Sequence, residues 1–236
     1  MIFYAARRRF PDCVTSALEV AMVIACWAAK GGSGTTVVAA ALATMLARTA
    51  DGALLVDLDG DVPAVLGVGP TDGPGIAEWL AAGDDVPPDA LGRLEIEVGR
   101  GLHLIHAGAT ALPPDGRGEL LAALLAADPR PVVVDCGSQP TGARLAVAAG
   151  ASQSLLVLRP CYLALQRALR SPLRPSGIVL VDEEGRVLGP DDVEAVLGVP
   201  IRAVVPYAKR ISRAADVGLL AGCLPGDLAR ALRRAA

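Results

Sequence analysis

Lys30-Gly31-Gly32-Ser33-Gly34-Thr35-Thr36 (KGGSGTT) stands between the apolar run Val23-Ile24-Ala25-Cys26-Trp27-Ala28 and the stretch TVVAAALATMLAR over residues 36–48. A short continuous apolar run reads as a buried strand, and the alanine- and leucine-rich stretch reads as a helix. Between them, Gly31, Gly32 and Gly34 let the backbone turn so that successive N–H groups point inward, where they can cradle phosphate oxygens. Ser33, Thr35 and Thr36 complete the loop, and the helix N-terminus adds partial positive charge at the same spot. A Thr at the head of the helix can offer its hydroxyl to Mg2+. The same turn also occurs without a ligand, so the rest of the chain decides between the two.

Two further apolar runs lead into aspartates. LLVDLDGD places Asp57 and Asp59 at the end of a second strand, and PVVVDCG places Asp135 at the end of a third. Further along, residues 94–98 and 102–106 alternate around Gly99-Arg100-Gly101 and read as a strand pair. Helices are expected near 75–82, 117–127, 141–149, 161–170 and 190–197, with strands at 154–158, 177–181 and 200–205 and two short helices at the end. Short apolar strands alternating with helices imply an α/β fold, a mainly parallel, doubly wound sheet with helices on both faces. The carboxyl ends of parallel strands share one edge, where ligands bind. Three acidic groups at that edge, Asp57, Asp59 and Asp135, suit magnesium and water positioning beside a phosphate cradle. Their alternative use is capping of turns and helices.

The 236 residues suffice for a substantial core. We read residues 22–236 as a single domain. Residues 1–21 do not conform to the pattern and read as a leader, with Met22 a candidate start. Arg7, Arg8 and Arg9 imitate the basic segment of a signal peptide, but cleavage after the apolar run would destroy the glycine-rich loop. Glu19 interrupts the most membrane-like stretch, and Val20–Ala29 is too short to span a bilayer.

Composition narrows the function classes. Aromatic residues make up 3% of the chain, too few for a stacking surface on single-stranded nucleic acid, and the net charge of −3 argues against a wholly basic binder. Five scattered cysteines with no CxxC fit neither a disulfide framework nor a zinc site, and point to a reducing cytoplasm. The chain has only two lysines, Lys30 and Lys209, and no asparagine. Basic charge is otherwise carried by arginine, which makes a lysine inside the glycine-rich motif stand out.

The chain resembles the ParA/MinD family of deviant-Walker P-loop ATPases from residue 22 to about 220. The resemblance rests on AAKGGSGTT, LLVDLDGDVPAVLG, VVVDCGSQP, LLVLRPCYLAL and VPYAKRISRAADVG, in that order. It implies a P-loop NTPase fold that binds ATP and Mg2+ and forms a homodimer around nucleotide. On that resemblance Lys30 is the signature lysine that reaches the partner's nucleotide, and Thr36 is a magnesium ligand. Asp59 orients the attacking water and Asp135 holds magnesium through water; Asp57 is a metal candidate from its place at the strand end, not from the resemblance. Pro206, with Tyr207, lies in the segment that borders the base.

The match has two departures. The family's second loop lysine is Thr35 here, and Asp61-Val62-Pro63 stands where the family has an Asn after the DxD motif. A charged hydrogen bond contributes about 1.5–3 kcal/mol, so loss of that lysine weakens nucleotide binding roughly 10- to 100-fold. The backbone cradle survives, so nucleotide binding is expected and fast hydrolysis is not. Thr35 and LVLRPCYLALQRA also resemble the CpaE/TadZ, septum-site-like branch, which implies protein partners in a polar, pilus or secretion assembly. The expected location is cytoplasmic, polar or peripheral to the inner membrane.

Residues 159–236 hold 12 basic and eight acidic residues. DNA contact through Lys209, Arg210, Arg213, Arg230, Arg233 and Arg234, as in a DNA-segregating ATPase, is therefore the second choice; a solvated helical surface is preferred. The ending GDLARALRRAA has two leucines and no aromatic, too little apolar area for stable membrane binding, and is expected to pack on the domain. A third alternative is a nucleotide-free scaffold. His103 and His106 are expected on opposite faces of a strand, and Cys136 is expected to be a small buried residue.

Overall fold

Every residue of Val23–Ala28 is buried, and this run forms β1 in the middle of the sheet. The structure, a computed structural model, describes residues 22–83, 86–114 and 117–236; the leader read over residues 1–21 lies outside the described residues. After β1 come α1 (Thr35–Thr49), β2 (Ala53–Asp57), α2 (Val62–Leu66), α3 (Ile76–Ala81), β3 (Ile96–Gly99), β4 (Leu102–Ile105) and α4 (Gly118–Ala126). The chain continues with β5 (Val132–Ser138), α5 (Gly142–Gly150), β6 (Gln153–Leu158), α6 (Tyr162–Arg170), β7 (Gly177–Asp182) and α7 (Pro190–Leu197). It ends with β8 (Ile201–Pro206), α8 (Lys209–Asp216) and α9 (Gly226–Leu232).

Among the described residues eight strands form one sheet, in the order β3-β4-β2-β5-β1-β6-β7-β8. Every pairing is parallel except that of β3 with β4. The α/β fold with helices on both faces is the one expected. Side chains of β1 alternate between two cores. Ile24 and Cys26 pack with α1, α2, α8 and α9, whereas Val23, Ala25 and Trp27 pack with α3, α4, α5 and α6. Burial on both faces explains why β1 is apolar throughout rather than alternating. Ala39, Ala40, Ala41 and Ala43 of α1 are fully buried, and these small side chains let the helix lie close against the sheet.

β1 pairs with β5 on one side and β6 on the other. The chain leaves it for β2 on the β5 side and later resumes at β6, so the order reverses at β1. A crevice opens outside the carboxyl ends of strands at such a reversal, and the glycine-rich loop enters it.

The structure corrects several boundaries. β5 does not end at Asp135 but runs on to Ser138, because Ala28 still pairs with Ser138 across an irregular register. Asp135 therefore sits inside the strand, opposite Cys26 of β1 and Asp57 of β2. Helix α2, with a proline in its first turn and left-handed Gly67 closing it, was not expected from sequence. His106 lies one residue beyond β4, and its Nδ1 accepts the Gly108 N–H at 3.1 Å. His103 faces Glu95 at 3.4 Å instead. Cys136 is buried. In the C-terminal tail, Leu228, Leu232 and Ala235 are buried in the core beneath α1, so the tail packs on the domain as expected. No helix among the described residues is long and apolar enough to cross a membrane.

Candidate functional site

The loop after β1 is held open from within. The Ser33 hydroxyl donates to the Lys30 carbonyl at 2.8 Å. Gly32 and Gly34 have φ of +77° and +87°, in the left-handed region that favours glycine. A Cβ at either position would meet nothing within 4 Å, so the backbone conformation, not crowding, calls for glycine. The side chains of Ser33 and Thr35 are buried beneath the loop. The first helical bond of α1 runs from the Val38 N–H to the Gly34 carbonyl at 3.0 Å. The amides ahead of it have no intrahelical acceptor and gather at the head of a 15-residue helix. No acidic side chain lies in the first turn of α1 to occupy them.

Asp135 faces this loop from β5 and is fully buried. Its Oδ1 accepts the Gly137 N–H at 3.0 Å, but its Oδ2 is buried without a partner among the described residues. Burial pushes the carboxyl up to about 7; Thr36 opposes the rise without closing a hydrogen bond of normal geometry on Oδ2, and the neighbouring charges of Asp57 and Asp59 add to it. An unpartnered buried carboxylate oxygen opposite a Thr at the head of a phosphate-type loop is what a hydrated magnesium ion requires. Thr36 and Asp135 thus fit the expected metal.

Asp57, expected among the magnesium-facing groups, instead spends both oxygens on backbone. Oδ1 accepts the N–H groups of Asp59 and Gly60 at 3.0 and 2.7 Å, and Oδ2 accepts that of Val62 at 3.1 Å. The physical reason is the left-handed Gly60 turn, which curls the chain back over the end of β2 and starts α2. Burial raises the Asp57 carboxyl, and these three bonds work against the rise. Its contribution is to hold the turn that carries Asp59. Among the described residues no three His, Cys, Asp or Glu side chains converge to hold a metal by themselves. The arrangement therefore suits an ion that keeps water and phosphate oxygens among its ligands.

Asp59 is exposed at the mouth of the crevice and pairs with Arg144 of α5 at 2.9 Å. Gly137 makes room for it: a Cβ there would lie 2.1 Å from the Asp59 Oδ1. Both partners are partly open to solvent, so the pair contributes little to stability. Arg144→Ala is expected to change unfolding free energy by less than about 1 kcal/mol in urea titration; a loss above about 2 kcal/mol would show that the pair is structural.

Lys30 is half-buried, and its Nζ lies 3.4 Å from the Gly31 carbonyl. Pro206 ends β8 on the other side of the loop. With Tyr207, Val37, Ile211 and Gly34 it lines a cleft of about 100 Å³. The structure thus brings residues 30–36, Asp59, Asp135 and Pro206 to one edge of the sheet. A larger cavity, about 500 Å³, lies at the opposite, amino-terminal end of the strands beside Arg48, Arg100 and Leu102, away from all of these residues. Sequence reasoning missed Arg144 and Arg159, which also borders the cleft. Arg159 directly follows a strand of the parallel sheet, so the rule that located the aspartates could have found it.

A profile of the CobQ/CobB/MinD/ParA nucleotide-binding domain matches residues 24–221. The fold is similar to that of a ParA family ATPase from Chlorobium tepidum, with TM-score 0.73 and 22% identity over 89% of this chain and 96% of that one. The septum site-determining protein MinD from Pyrococcus horikoshii, solved with Mg-ADP, aligns with TM-score 0.71 and 22% identity over 89% and 92% of the two chains. The cell division ATPase MinD from Pyrococcus furiosus gives 0.69 and 23% over 91% and 99%. A comparison with curated protein sequences gives no match.

Proposed function

We propose, from the premise that this chain belongs to the CobQ/CobB/MinD/ParA nucleotide-binding family, that it is an ATP- and Mg2+-binding positioning protein of the CpaE/TadZ-like branch. In this reading it pairs face to face when nucleotide is bound and in that state recruits a pilus, secretion or polar assembly. The observation that carries the reading is the open loop 30–36 facing the unpartnered Oδ2 of Asp135. Loop amides would take the phosphate oxygens, and Thr36 and Asp135 would hold the magnesium ion, Asp135 through water. Bound magnesium would neutralise charge on the phosphates. Lys30, partly exposed at the start of the loop, has the reach to meet a second copy of the chain. Asp59 stands where a water at the crevice mouth can be held, with Arg144 fixing its carboxylate. The loop from residue 31 to 36 has no cationic side chain, so hydrolysis is slow or absent and the nucleotide acts as a switch for pairing.

Thermal melting with ATP and Mg2+ tests this. A ligand at a hundred times its Kd stabilises by about 2.7 kcal/mol, which for a domain of this size raises the midpoint by about 5–10 °C. No shift at millimolar ATP-Mg2+ would overturn the reading in favour of a nucleotide-free scaffold. A second expected result concerns Thr35→Lys, which places a cation inside the loop and should tighten ATP-Mg2+ binding about 10- to 100-fold by calorimetry.

A DNA-segregating ATPase is the second reading. Lys209, Arg210, Arg213, Arg230, Arg233 and Arg234 are all exposed, with Arg210 paired to Asp227 at 2.8 Å. An ATP-dependent gel shift that weakens with salt would favour it over the first.

A further inference from the structure

A polyphosphate brings several negative charges into a partly dry crevice, where charge needs a paired cation. The loop from Gly31 to Thr36 supplies none. Apart from Lys30, which directly precedes the loop, the cations that border it come from elsewhere in the fold. Arg159 follows β6 directly, and Arg186 lies in the turn after β7. Together with Lys30, Gly32, Ser33 and Cys161 they line a cavity of about 130 Å³. Arg159 also borders the cleft under Pro206 and Tyr207, with its guanidinium 4.4 Å from the centre of the Tyr207 ring.

Arg159 is fixed before any ligand arrives. Glu183 takes its Nε at 3.1 Å and its Nη2 at 2.5 Å, and the same carboxylate pairs with Arg186. Lys30, Arg159 and Arg186 thus line the cavity with no acidic side chain among its described lining residues, and the one carboxylate paired with two of them, Glu183, leaves the group positively charged. The Nη1 group of Arg159 has no hydrogen-bond partner among the described residues. Across the loop, Asp135 holds a buried oxygen that also has no partner. We infer that Arg159 is a polyphosphate-binding residue, supplying from the end of β6 the cation that the glycine-rich loop lacks. The inference rests on the nucleotide reading above and adds a residue to it. A guanidinium held by Glu183 and stacked on Tyr207 is pre-organised, so little conformational entropy is lost when a phosphate oxygen reaches it.

The experiment compares ATP-Mg2+, inorganic tripolyphosphate and adenosine by calorimetric titration against the full chain. Arg159→Gln is expected to weaken ATP and tripolyphosphate at least tenfold and to leave adenosine within about twofold. Thr35→Lys, which puts a lysine inside the loop where a phosphate-binding lysine can reach the β- and γ-phosphates, is expected to restore binding in the Arg159→Gln background. A packing role for Arg159 would not be rescued in this way. If the parent chain binds neither ATP nor tripolyphosphate, the nucleotide reading and this inference both fall. If it binds ATP and Arg159→Gln binds equally well, or Thr35→Lys tightens the parent but not the Arg159→Gln chain, only the inference falls.

Discussion

Asp135→Asn is expected to make the nucleotide-free protein more stable at pH 8 while removing its response to Mg2+. The carboxyl is fully buried, and burial moves it from an ordinary 3.8 to about 7. Below pH 4 the group is protonated whether the chain is folded or not. Between about 4 and 7 the folded chain keeps the proton that the unfolded chain gives up. The stability this group contributes is therefore complete at low pH and is lost as pH rises through about 7. At pH 8 a buried charge remains, and replacing it with a neutral isostere recovers up to about 4 kcal/mol. The amide can keep the Gly137 N–H on its oxygen and offer its own N–H groups to Thr36. In urea titrations the variant should be well above the parent at pH 8 and level with it near pH 4. Its midpoint with ATP should be the same with and without Mg2+. A variant less stable than the parent at pH 8 would show that the carboxylate is structural, not held in readiness for a cation.

The parts of the site that sequence made visible are those in which local pattern and topology agree. The apolar run before Lys30 has to be a strand buried on both faces, and the glycines after it have to break that strand. Once the sheet is parallel, Asp135 follows to the same edge without any knowledge of contacts. What stayed hidden depends on residues distant in the chain. The pair between Arg144 and Asp59 joins positions 85 residues apart, and that between Arg159 and Glu183 joins positions 24 apart. No periodicity encodes such pairs. Helix α2 was hidden for a different reason. Five residues bounded by Asp61 and Gly67 are too short to display a helical period, and the helix forms because Asp57 caps the turn that leads into it. Similarly, Cys136-Gly137-Ser138 lacks the branched apolar side chains that announce a strand, yet β1 continues to pair with it.

The same substitution one strand away should have the opposite sign. Asp57 is as buried as Asp135 and lies opposite it across the β2–β5 pairing. Its two oxygens accept three backbone N–H groups, from Asp59, Gly60 and Val62. An asparagine at 57 has one acceptor oxygen. If it keeps Asp59 and Gly60, its NH2 group faces the N–H of fully buried Val62, donor against donor; if it flips, two N–H groups lose their acceptor. A buried N–H left without an acceptor costs about 1–3 kcal/mol. Relief of the buried charge offsets part of this, though less than at Asp135, because the three bonds already work to hold the Asp57 carboxyl down. Asp57→Asn is therefore expected to destabilise the nucleotide-free protein by about 1–2 kcal/mol at pH 8, where Asp135→Asn stabilises it. The loss also reaches the site, since the turn carries Asp59 to Arg144 and sets it over Gly137. Measured side by side in urea, the two variants separate a carboxylate that builds the turn from one whose free oxygen is a cost to the empty protein. Two shifts of the same sign would remove that distinction.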